Sequence, residues 1–144
     1  INADYKNSSY AVGLAKKLGF NLKLAGGWRP SFRSNIDYLG KVGGKKKINF
    51  LKNAKALIFP TAWEEPMGLV VIESLACGAP VIVSDRGAMP ELVNEEVGFV
   101  CKTEKDYIDA IKNIDQIDRN KCREYINNNF THSIIYCFLL EDNG

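Results

Sequence analysis

Apolar residues recur along this chain in two periods, one near four and one without polar interruption. In SSYAVGLAKKL they return every three or four positions, which predicts an amphipathic helix over Ser8 to Leu18, capped by Asn7 or Ser8 and stopped by Gly19. Leu22 to Ala25 then reads as a short strand. Residues 26 to 35 contain Gly26, Gly27 and Pro30 and predict a loop. Ile36 to Leu39 follows as a second short strand and Lys45 to Ala54 as a helix, with Lys45, Lys46 and Lys47 on its exposed face. The run Ala56, Leu57, Ile58 and Phe59 has the pattern of a parallel strand buried on both faces, and Pro60 stops it. Gly68 opens the helical run LVVIESLA, Gly78 and Pro80 punctuate its end, and VIV at 81 to 83 re-enters a sheet. Residues 56 to 83 are therefore expected to form one βαβ unit.

Beyond it, Asp85 to Pro90 is a loop leading into a brief helical turn, PELV, and Gly98 to Cys101 is an edge strand. Asp106 to Ile114 is a helix. Arg119 to Asn128 is another, with Asn127, Asn128 and Asn129 as its expected C-cap, and Thr131 is expected to cap a final helix through Leu140. Strands and helices alternating at this length predict an α/β fold: a Rossmann-like, doubly wound parallel sheet with helices on both faces.

Composition narrows the class without naming it. With 144 residues, 46% of them hydrophobic and 25% charged, residues 1 to 144 suffice for one domain with one substantial core. The net charge of +2 is too small to argue for a nucleic-acid partner. Neither a signal pattern nor an apolar stretch of about 18 residues is present, and Ile134 to Leu140 is too short, so no membrane span and a cytoplasmic location are expected. Cys77, Cys101, Cys122 and Cys137 lack the paired spacings of zinc sites and read as buried, reduced thiols. His132 is the only histidine, which leaves a Ser-His or Cys-His catalytic pair without support. Gly26-Gly27 and Gly43-Gly44 do not make the GxGxxG of a dinucleotide fold, and no P-loop occurs. No cofactor is expected. No DxD pair is present to hold a metal against a diphosphate, so binding is expected to be metal-independent.

The chemistry concentrates in FPTAWEEPMGLVVIESLACGAPVIVS. Ligand crevices of parallel sheets lie beyond the carboxyl ends of the strands, where residues 60 to 68 fall. The unpaired amides of the first turn after Gly68, with the helix dipole behind them, favour a phosphate. Glu65 precedes the turn and Glu73 lies five residues beyond Gly68, roughly 7 to 8 Å along the helix axis. Carboxylates only accept hydrogen bonds, so two of them beside a phosphate site suit a ligand that also carries sugar hydroxyls. A nucleotide-sugar has both. The plainer reading leaves Glu65 as an electrostatic helix cap and Glu73 as the one solvent-facing position of a buried helix.

EPMGLVVIE has the E-x7-E spacing of retaining GT-B glycosyltransferases, and SLACGAPVIVSDRGAMPELV resembles its continuation in the family-4 enzymes, the glycosyl transferases group 1. KNSSYAVGLAKKLGFNLKLAGG, DYLGKV and EEVGFV resemble flanking parts of the second, donor-binding domain, so the resemblance covers almost the whole chain. It implies that Glu73 binds the ribose hydroxyls, that Glu65 acts beside the reacting sugar as the catalytic carboxylate, and that amides of Met67, Gly68 and Leu69 hold sugar and diphosphate. Lys6 matches the family's basic residue for the diphosphate, although the arginine that precedes it has no counterpart here. Val42, with Lys41, falls where the nucleobase is held, and Arg29 and Arg33 lie in a loop within reach of an anion. Met67 stands where the family often has an aromatic. The implied activity is transfer of a sugar from a UDP-, GDP- or ADP-sugar to an acceptor hydroxyl with retention of configuration. The chain would be a fragment whose acceptor-binding N-terminal domain comes from missing sequence or a partner chain, and by itself would be inactive. The alternatives are a non-catalytic nucleotide-sugar-binding subunit, or another GT-B-like enzyme such as an epimerase or phosphorylase.

Overall fold

Successive side chains in a strand point to opposite faces, and the central strands of this chain bury both. The computed structural model describes residues 7–26 and 33–130. Within them β3 (Leu57–Phe59), β4 (Val81–Ser84) and β5 (Gly98–Cys101) run parallel in the order β3-β4-β5, with Leu57 opposite Val81 and Val81 opposite Gly98. Phe59, Val81 and Val83 face one layer, where they meet Val71 and Leu75 of α3 (Leu69–Ala76), Met89 of α4 (Met89–Leu92) and Cys122 and Ile126 of α6 (Arg119–Asn129). Ile82 and Cys101 face the other, against Leu14 of α1 (Ser8–Leu18) and Tyr107 and Ala110 of α5 (Glu104–Asn113). Helices thus cover both faces. Each fully buried Val or Leu in these layers stabilises the fold by about 1.5–3 kcal/mol relative to an exposed position.

The remaining strands, β1 (Leu22–Ala25) and β2 (Ile36–Gly40), pair in parallel with Leu22 opposite Ile36 and form a second, two-stranded sheet. Among the described residues no ladder joins it to β3. The link is packing: Ala11 and Ala15 of α1 cover Leu22 and Ile36, Leu14 on the same stripe covers Ile82, and Ile58 touches both clusters. The expected α/β architecture is present, with its parallel strands divided between two ladders.

Element ends show where local chemistry overrides the expected boundaries. Gly19 stops α1 as expected, at φ 77° with its N–H donating to Ala15 O at 2.9 Å. Asn7, expected as a side-chain cap, instead adopts φ 55° and makes no capping hydrogen bond with its side chain. The first turn of α5 begins at Glu104, before the expected Asp106, because Thr103 and Asp106 form a capping box. The asparagine run does not cap α6: Asn129 Nδ2 donates back to Tyr125 O at 2.8 Å, and the helix ends at Phe130 in extended backbone. α2 (Gly44–Asn53) is closed from outside, its last carbonyls accepting from Arg119, Nη1 to Ala54 O and Nη2 to Lys52 O, both at 2.7 Å. The helix expected over Thr131 to Leu140 lies outside the described residues.

Candidate functional site

The loop from β3 to α3 is anchored at both ends and in its middle. Thr61, 1% exposed, follows Pro60; its Oγ1 accepts from Trp63 N at 3.2 Å, and its carbonyl accepts from Ser84 Oγ at 2.7 Å. That bond ties the end of β3 to the end of β4. The next loop clasps the acidic pair: Gly87 N donates to Glu64 Oε2 at 2.6 Å, Ala88 N donates to Glu65 O at 2.8 Å, and Arg86 lies 3.6 Å from Glu64 Oε1. The Glu65 backbone is held in this way. Its half-buried side chain has no partner among the described residues.

Gly68 takes φ 63° and ψ 47° as the residue before α3, and its carbonyl accepts from Val71 N and Ile72 N. The amides of Leu69 and Val70 are left without a partner among the described residues, as the first turn of a helix requires unless something else binds them. The left-handed backbone of Gly68 disfavours any side chain, and a Cβ there would also stand 2.3 Å from Met89 Cε, the end of a flexible side chain. Trp63, Met67 and Leu69 are each more than half exposed, giving this loop an apolar rim.

Glu73 is the unusual residue of α3. It is 8% exposed in a helix whose neighbours Val71, Ile72, Ser74 and Leu75 are all buried, so the solvent-facing alternative is excluded. Burying a carboxylate is costly unless a charge or hydrogen bonds compensate it. Lys47 Nζ lies 2.5 Å from Glu73 Oε2, while Oε2 itself is fully buried and has no hydrogen bond of good geometry. The compensation is therefore mainly charge. Lys45 and Lys46 are exposed as expected, but Lys47 turns inward, one helical turn before the buried Leu51. Its spacing to Leu51 was the available signal, hidden in a run of three lysines. Thr61, Ser84 and Gly87 are the other residues that sequence reasoning missed.

The other expected positions are more scattered. Val42 is half-buried and Lys41 exposed in the turn between β2 and α2. Arg33 is exposed; Lys6, Arg29, His132 and Cys137 lie outside the described residues. Cys77, Cys101 and Cys122 are buried. Among the described residues no group of three or more metal-type side chains comes together, and no helix is long and apolar enough to cross a membrane.

Residues 31–132 match the family described as glycosyl transferases group 1. An uncharacterized glycosyltransferase of Methanocaldococcus jannaschii is 32% identical over 98 residues, 67% of this chain and 25% of that protein. A D-inositol 3-phosphate glycosyltransferase of Saccharomonospora viridis is 32% identical over 80 residues, 54% of this chain and 18% of its own length. Among solved structures, a glycosyltransferase involved in avilamycin A biosynthesis superimposes with a TM-score of 0.76 at 22% identity, covering 98% of this chain and 48% of that one. A pneumococcal O-GlcNAc transferase, solved with UDP and GlcNAc, gives a TM-score of 0.71 at 16% identity over 94% of this chain and 32% of its own. These two likenesses speak to the fold. The matches span from under a fifth to about half of the relatives' own lengths.

Proposed function

This chain belongs to the glycosyl transferases group 1 family, and on that premise we propose that it is the donor-binding domain of a retaining enzyme that moves a sugar from a nucleoside diphosphate to an acceptor hydroxyl. The observation that carries this is the pairing, on one short helix, of unpartnered first-turn amides with a buried carboxylate four residues further on. In this reading Glu73 accepts hydrogen bonds from the ribose hydroxyls. The amides at Met67, Gly68 and Leu69 hold sugar and diphosphate, with Lys6 adding positive charge for the diphosphate, and Val42 lies beside the base.

Bond breaking places negative charge on the departing diphosphate and positive charge on the sugar ring. Fixed amide dipoles serve the first without reorganising during the reaction. Glu65, on a backbone clasped by Gly87 and Ala88, serves the second by positioning the sugar and stabilising its charge. Transfer also needs an acceptor-binding domain across a cleft, so the chain alone is proposed to bind donor without turning it over.

Calorimetry with UDP, GDP and ADP tests the assignment. Glu73→Ala is expected to weaken binding of the bare nucleotide about tenfold or more, since a hydrogen bond to a charged group contributes about 1.5–3 kcal/mol. Glu65→Ala should barely change it. Equal losses from both, or none from either, remove the ribose assignment, and sugar transfer by the chain alone removes the need for a second domain.

A further inference from the structure

A site that binds a diphosphate yet carries two carboxylates has an electrostatic conflict, and the described residues contain one device that relieves it. Lys47 reaches from the first turns of α2 to Glu73 Oε2 at 2.5 Å, its side chain two-thirds buried. Oε2 is without solvent exposure, whereas the Glu73 side chain as a whole keeps 11%. A ligand therefore has access to the carboxylate only away from Oε2.

We propose that Lys47 is a positioning residue of the donor site, holding Glu73 by one oxygen so that the other accepts ribose hydroxyls, and cancelling its charge so that the nearby diphosphate is not repelled. The inference rests on the donor-site reading above and adds a residue that the E-x7-E motif does not contain. Lys47 acts through Glu73. A lysine that gripped the diphosphate directly would be indifferent to the identity of residue 73. Charge cancellation also predicts selectivity, because an uncompensated carboxylate opposes a diphosphate more strongly than a monophosphate.

The test is a double-mutant cycle with Lys47→Met, Glu73→Gln and both together, titrated with whichever of UDP, GDP or ADP the unmodified chain binds and with the matching monophosphate. Lys47→Met is expected to weaken the diphosphate about tenfold, and the monophosphate less, whereas the same change made on Glu73→Gln costs no more than about twofold. Lys47→Arg should retain most of the affinity. Equal losses for both nucleotides indicate a structural role and overturn the proposal; a tenfold loss that persists on Glu73→Gln makes Lys47 a direct phosphate ligand and overturns it too. Should Lys47→Met fail to fold, Lys47→Gln takes its place with the same expectation. If the unmodified chain binds none of the three diphosphates, the donor-site reading itself has failed and this inference falls with it. That result is distinct from binding that ignores Lys47.

Discussion

Gly87 lies so close to the backbone of Glu65 that a Cβ on it would stand 2.2 Å from the Glu65 carbonyl oxygen and 2.4 Å from its nitrogen. The contact explains how two successive loops share one conformation. Gly87 also takes φ 55°, where a side chain is strained whatever the space around it.

A comparison of two glycines follows from this. Gly68 has a similar φ of 63°, but the atom in its way is Met89 Cε, the end of a flexible side chain that can turn aside. Gly68→Ala is therefore expected to cost about 1–2 kcal/mol, mostly left-handed strain. Gly87→Ala cannot be relieved without moving the Glu65 loop and is expected to cost at least about 2 kcal/mol. Urea unfolding of the two variants checks the order. If Gly87→Ala is the milder change, the clasp between the loops is looser than its geometry indicates.

The buried thiols give a second prediction. Burial pushes the Cys101 thiol up to about 12, with the nearby Asp106 charge adding to it, and burial likewise pushes Cys122 up to about 11. Thiolate is the reactive form, and an ordinary cysteine titrates near 8.5. At pH 8 alkylation of both residues in the folded chain should be on the order of a hundredfold or more slower than in urea. Peptide mass spectrometry resolves each residue separately. Labelling at the unfolded rate would show that the β5 edge or α6 opens readily.

These contrasts show which parts of the molecule its sequence discloses. The βαβ unit around α3 was legible because Pro60, Gly68, Gly78 and Pro80 punctuate apolar runs, and punctuation is a local property. The side to which a polar residue turns is not local. Glu73 reads as solvent-facing by residue type, and the approach of Lys47 from α2 compensates its burial. The division of the strands into two ladders was equally hidden, since period 2 marks a strand without choosing its neighbour. Gly87 belongs to the same class: its partner Glu65 is 22 positions away and is met through backbone atoms that leave no trace in side-chain type. The Thr103 box was missed for a simpler reason. Its reciprocal acceptor is Asp106, shorter than the Glu or Gln that the usual signature calls for.

That box carries an acid-stability prediction. Asp106 Oδ2 accepts from Thr103 N and Lys102 N, both at 2.9 Å, and these bonds hold its carboxyl below the usual carboxylate range. A carboxyl whose folded-state value is depressed favours folding while it is ionised. Its contribution is thus fully present above the unfolded value of about 3.9 and is lost as pH falls through the lower folded value. Asp106→Asn keeps the shape of the side chain but cannot carry the charge. At pH 7 the original chain should be the more stable of the two in urea, and the gap should narrow progressively below about pH 4. Because every other carboxyl titrates in both proteins, only the difference between them reports on this position. A gap that stays constant from pH 7 to pH 2 would mean that the Asp106 charge contributes nothing at the start of α5, leaving neutral hydrogen bonding as the whole of the cap.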